Sequence, residues 1–174
     1  MRIHLLHGLL PLVLSLAGGV LLSGCAEEGP VVLPSATEVE SYYIYPQGLE
    51  ALVEGTIVEI RAVQPTEHLE RGGRLWARAG PYVLLFSEET RSLLQDHPDL
   101  TAVRVVTVTP EGEQIAGAEL HRDALTGTLW RRSMNIAGRA RREGTKRPTV
   151  LEELVRWGEE HTDYEYAPRF QETG

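Results

Sequence analysis

The sequence predicts an α+β domain, with a small antiparallel or mixed sheet of about five strands followed by a C-terminal helical pair. Three observations predict it. Short runs rich in Val, Ile and Thr recur between Leu52 and His121, and such residues suit a pleated surface. From Leu129 the apolar spacing changes to three and four residues, the period of a helix. Hydrophobic residues make up 42 % and charged residues 24 % of the 174 positions, which lets the chain bury one ordinary core.

Leu52 to Val63 (LVEGTIVEIRAV) is the first β-type run, and PTEHLERGG after it reads as a polar loop. Leu75–Ala79 and Tyr82–Phe86 read as two further strands turned by Gly80-Pro81. Ser87 offers a hydroxyl as a helix N-cap, and Glu88 and Glu89 suit the positive helix terminus. That short helix turns Leu93 and Leu94 inward and stops at His97-Pro98. Ala102–Thr109 (AVRVVTVT) is the clearest strand. Pro110–Glu113 is a hairpin turn, and Gln114–His121 is the return strand. The resulting OB-like order, β-β-β-α-β-β, is that of a five-stranded barrel. A sheet that stays open has the same order.

Leu129, Ser133, Ile136 and Ala140 then form one row of a helix over about 128–143. EGTKRP breaks it. Thr149 and Glu152 fit a capping box for a second helix over about 149–161, with Val150, Leu151, Leu154, Val155 and Trp157 as its apolar positions. Tyr164, Tyr166 and Phe170 alternate as in a strand or pack over the core. The globular domain is thus expected over 47–174. Residues 25–46 read as a flexible tether broken by Gly29, Pro30 and Pro34. Within them Tyr42-Tyr43-Ile44-Tyr45 is too apolar for a tether. It reads as a first strand or a packing segment, with an aromatic platform for a sugar or a partner as the sharper alternative.

The first 24 residues open with Arg2, continue with an apolar stretch from Leu5 to Leu22 and end in small residues. That is the build of a secretory signal peptide. Pro11 and the Gly18-Gly19 pair weaken the rival reading of a permanent membrane helix. Leu22-Ser23-Gly24-Cys25 resembles the lipobox of bacterial prolipoproteins, and Cys25 is the one cysteine of the chain. The resemblance implies a diacylglyceryl group on the Cys25 sulfur, cleavage after Gly24 and acylation of the new amino terminus. One acyl chain binds a bilayer only reversibly, at about 0.8 kcal/mol per buried methylene, whereas two or three hold firmly. The resemblance also implies a place in the cell envelope. Ala26, standing where an aspartate signals inner-membrane retention, resembles sorting to the outer membrane, facing the periplasm.

Lipidated Cys25 leaves no thiol for catalysis, a disulfide or a metal. No cofactor or metal is expected beyond the covalent lipid. His97, His121 and His161 each stand two before an aspartate, a spacing that shares one face of a strand, but it arises easily by chance and solvated surface histidines are the expected reading. The serines lie in no G-x-S-x-G or S-x-x-K, and the glycines form no GxGxxG or P-loop. The net charge of −8 gives the whole chain no attraction for nucleic acid. From Thr128 to Arg147, however, seven basic residues face one acid, whereas seven acids and two bases follow from Pro148. Packed as a hairpin, the two helices can neutralise one another. Otherwise Arg131, Arg132, Arg139, Arg141 and Arg142 form a face for an anionic surface or an envelope partner. The sequence therefore points to a membrane-anchored envelope lipoprotein whose domain is a non-catalytic binding or assembly module. A small cell-envelope hydrolase and a purely structural protein are the alternatives.

Overall fold

The structure, a computed structural model, describes residues 30–171. The segment read as a signal peptide, with Gly24 and Cys25, lies outside the described residues. A hairpin opens the sheet: β1 (Leu49–Glu54) and β2 (Ile57–Val63) pair antiparallel. Gly55 turns between them at φ +59°, a left-handed conformation that glycine adopts without a Cβ penalty. β3 (Ala102–Val108) runs parallel to β2, and β4 (Gln114–His121) returns antiparallel to β3. β5 (Asp163–Tyr166) then adds antiparallel to β4, so the order is β1-β2-β3-β4-β5 in one open, mixed sheet.

A parallel pair needs a crossover. Helices α2 (Thr66–Leu85) and α3 (Glu88–Asp96) supply it between β2 and β3. With α1 (Ala36–Tyr42), α4 (Gly127–Glu143) and α5 (Pro148–His161) they complete an α+β unit that runs from Val31 onward. Alternation along the strands sorts the side chains. Val58, Ile60, Val103, Val105, Ala118 and Leu120 form one core with Trp76, Tyr82 and Leu85 of α2 and Leu154 of α5. The opposite face carries Glu59, Arg61, Arg104, Glu119, Asp163 and Glu165, by the same register. There Arg104 lies 3.6 Å from Glu59 and 2.6 Å from Glu165.

Several expectations are corrected. The run from Leu52 to Val63 is two strands, not one, because Gly55 reverses the chain. The segments read as a loop and two strands, Pro65 to Phe86, are one kinked helix with its cap residues. Trp76, Ala79, Tyr82 and Leu85 recur every three residues and face the core, and this burial outweighs the β preference of the tyrosine and valine around them. Pro81 sits inside that helix instead of ending it, and the backbone break falls at Gly73, φ +51°. The OB-like order β-β-β-α-β-β is not formed, since two strands and not three precede the crossover helices and the fifth strand follows α5. The helical pair does not close the chain either. α4 and α5 lead into β5. Thr149 does not cap α5, which begins at Pro148 with no side-chain cap. Pro at this first position removes one of the four unpaired N–H donors and presets the helical φ. Residues read as tether fold from Ala36, where Ser35 Oγ accepts from Glu38 N at 3.2 Å, and Val39 and Tyr43 are buried.

Other expectations stand. Ser87 caps α3 by accepting from Thr90 N at 3.2 Å, and the helix ends at Asp96 before His97. β3 and β4 form the expected hairpin, with Gly112 at φ +88° in its turn. Two contacts tie the helices together. A Cβ on Gly158 of α5 would stand 2.4 Å from the Tyr82 ring, so only glycine permits this approach of α2 to α5. Tyr82 Oη and Tyr166 Oη lie 2.7 Å apart, and Tyr166 donates to Glu159, which also pairs with Arg78. The last strand is thereby locked onto both helices. Arg122, just after β4, donates to the carbonyls of Leu94, His97 and Leu100 and so satisfies the C-terminal end of α3.

Candidate functional site

Helix α4 separates the five candidate arginines. Arg131, Arg132, Arg139 and Arg142 line one shallow groove with Thr128, Asn135 and Ile136, where Glu153 of α5 is the one carboxylate. Arg139 pairs with Glu153 across the helical hairpin. Arg132 lies over the Trp157 ring, 4.2 Å from its centroid, and Arg131 reaches Thr128 Oγ1 at 3.4 Å. Among the described residues Arg131, Arg132 and Arg142 meet no carboxylate. Among the described residues, neutralisation of these arginines by the following acids is thus limited to Arg139. The acids of α5 and the tail serve elsewhere: Glu159 binds Arg78 and Tyr166, and Glu165 binds Arg104.

Arg141 is not part of that groove. One position before Arg142, it points to the other side of α4 and donates to Val83 O at 3.2 Å. There it borders a cleft of about 280 Å³ among the 43–47 segment, the β2–α2 junction and the middle of α2. The cleft walls combine Pro46, Pro65, Val83 and Leu84 with the polar Gln47, Glu67, Glu89 and Thr107, and Ile44, 93 % exposed, is also among the lining residues. His68 stacks on Trp76 with centroids 3.9 Å apart and planes 10° from parallel. Burial holds the His68 imidazole below its ordinary value of 6.5. Tyr45 donates to Val63 O at 2.9 Å, and burial pushes its hydroxyl up to about 12.

Gln64 is the polar group of interest in this cleft. It follows β2 directly and is 2 % exposed. Its Nε2 donates to Trp76 O at 2.6 Å, and because a carbonyl only accepts, this bond fixes which end of the amide is which. Its Oε1 is buried and has no hydrogen-bond partner among the described residues. An unsatisfied buried acceptor costs about 1–3 kcal/mol, and most buried polar groups in folded chains are satisfied.

The histidines do not gather into a catalytic set. His97 stands near Tyr42 Oη at 3.4 Å, and Asp99 accepts from Val32 N instead of facing it. His121 meets Asp163 at 3.0 Å, not Asp123, because β5 lies beside β4. His161 stacks on Trp157 and its Nδ1 lies 2.9 Å from Trp157 O. Among the described residues no group of three or more His, Cys, Asp or Glu side chains is placed to hold a metal ion. Nor is any described helix long and apolar enough to cross a membrane. Sequence reasoning missed Gln64, His68 and Trp76 as a site. Their one signal, a polar residue between a β-type run and Pro65, has no specificity by itself. No family model matches the chain, and neither do the curated proteins or the solved structures.

Proposed function

We propose that the protein is a lipid-anchored lipoprotein of the bacterial envelope, and that its domain is a binding module that receives anionic groups in the α4 groove. The observation that carries this reading is the groove: four guanidinium groups stand around one carboxylate on a single exposed helix face. Guanidinium matches phosphate with a planar fork of donors, and an arginine near an anionic surface contributes about 1 kcal/mol. The lipobox resemblance adds the location. A domain tied to a bilayer by Cys25 works beside phosphate headgroups, where modest electrostatic terms suffice. Binding rather than turnover fits the histidines, of which His68 and His161 are stacked on tryptophans.

The test has two arms. Mass spectrometry of the mature N-terminus reads the anchor: a diacylated Cys25 supports it, and an uncleaved leader or an unmodified Cys25 overturns it. Vesicle co-sedimentation of the domain from Val31 onward reads the groove. Binding to phosphatidylglycerol vesicles, and not to phosphatidylcholine alone, is expected. It should be lost when Arg131, Arg132, Arg139 and Arg142 are all replaced by Gln. Equal binding by that variant contradicts the reading.

A further inference from the structure

The four arginines of the groove are not equivalent, and the difference between them deepens the reading of the groove as an anion site, on which this inference rests. Arg139 is engaged with Glu153. Arg131 folds back to Thr128 Oγ1 at 3.4 Å. Arg142 lies along its own helix, since a Cβ on Gly138 would stand 3.4 Å from its Nη1. Of the four, Arg132 is the one held on an aromatic ring, with Cζ 4.2 Å from the Trp157 centroid. The ring beneath it is fixed. Trp157 is 7 % exposed, and its Nε1 donates to Oγ of the buried Ser133 at 2.8 Å. Ser133 follows Arg132 in α4, so arginine and ring are positioned by one turn of the helix. Stacking engages the face of a guanidinium, whereas its five N–H donors lie in the plane. Among the described residues none of these donors on Arg132 meets a hydrogen-bond or ion-pair partner. The group is therefore oriented, exposed and unpaired.

We infer that Arg132 is the specificity-determining residue of the groove: held against Trp157, its guanidinium takes two oxygens of one headgroup phosphate in a planar fork. An exposed arginine loses rotamer freedom when it binds, and a side chain already held by a ring loses less. The fork fits two unesterified phosphate oxygens, whereas an ammonium of the same charge acts as a point. The groove thus recognises phosphate by geometry at Arg132 and attracts it by charge at Arg131 and Arg142.

Lysine substitutions test this, because they keep the charge and remove the fork. The measurement is co-sedimentation of the unit from Val31 onward with phosphatidylglycerol vesicles. Arg132→Lys is expected to bind about fivefold more weakly than the unaltered unit, the effect of losing one hydrogen bond of the fork. Arg131→Lys and Arg142→Lys should bind as the unaltered unit does. Side-chain NMR of the unaltered unit gives a readout that no folding defect can mimic. The Arg132 Nε–H resonance should move on titration with dihexanoyl-phosphatidylglycerol, and further than those of Arg131 and Arg142. Undiminished binding by Arg132→Lys, equal losses in all three lysine variants, or a stationary Arg132 resonance overturns the inference. The variant with all four groove arginines replaced by Gln separates the two readings. If it loses binding while Arg132→Lys does not, this inference falls alone; if it binds like the unaltered unit, both fall.

Discussion

Arg141 and Arg142 are neighbours in the chain and belong to different regions of the molecule. Arg142 lines the groove of α4, open to water and rich in like charge, whereas Arg141 borders a cleft of mixed apolar and polar walls in which Gln64 is buried. The difference is one of dielectric. In the groove, charges are screened, so their pull on an anionic surface is additive and sensitive to salt. At the inner wall of the cleft Gln64 is desolvated and held by its neighbours, so a single atom, Oε1, carries a cost of its own. One helix thus presents an arginine-rich surface on one side and borders a partly buried cleft on the other.

Substitutions sharpen this contrast in order of expected effect. Trp76→Ala removes a side chain that is 2 % exposed and the platform under His68, and should cost about 3–5 kcal/mol in denaturant unfolding. Gly80→Ala forces a methyl group against Gln64 Oε1 and Thr107, and should cost about 1–3 kcal/mol despite the better helix propensity of alanine. Acid should act through His68. Its folded pKa lies below the unfolded value of 6.5, so the unfolded chain binds more protons as pH falls through that window. Stability from the neutral stacked ring is present in full above 6.5 and declines as pH falls toward the folded pKa. A His68→Phe chain should show a flatter stability profile over the same range. Last, replacing Arg131 and Arg142 by Gln should change stability by about 0.5 kcal/mol or less. A loss of several kcal/mol in that variant would break the distinction between the regions.

Elements whose signals are local were legible in the sequence. The β3–β4 hairpin pairs a β-branched run with a Pro-Glu-Gly turn, and Ser87 with two following glutamates marks the start of α3. α2 was not legible, because Tyr82 and Val83 favour strands and Gly80-Pro81 favours a turn. Only burial against β3, β4 and α5 selects the helix. β5 was ambiguous for the opposite reason, since its four residues acquire a strand partner only once β4 is in place. The arginine cluster was visible as composition, but its division between groove and cleft depends on the rotation of α4. Arg122 becomes a three-carbonyl clamp only through the approach of α3. Gln64 carries no signal at all until Trp76 and Gly80 surround it.

Paired single substitutions in α4 test the central claim most directly. Affinity of the domain for phosphatidylglycerol vesicles should fall about fivefold in Arg142→Gln, the loss of about 1 kcal/mol expected for one arginine at an anionic surface. It should stay unchanged in Arg141→Gln, whose guanidinium is turned to the cleft. Equal losses in the two variants, or none in either, would contradict the assignment of anion binding to the groove.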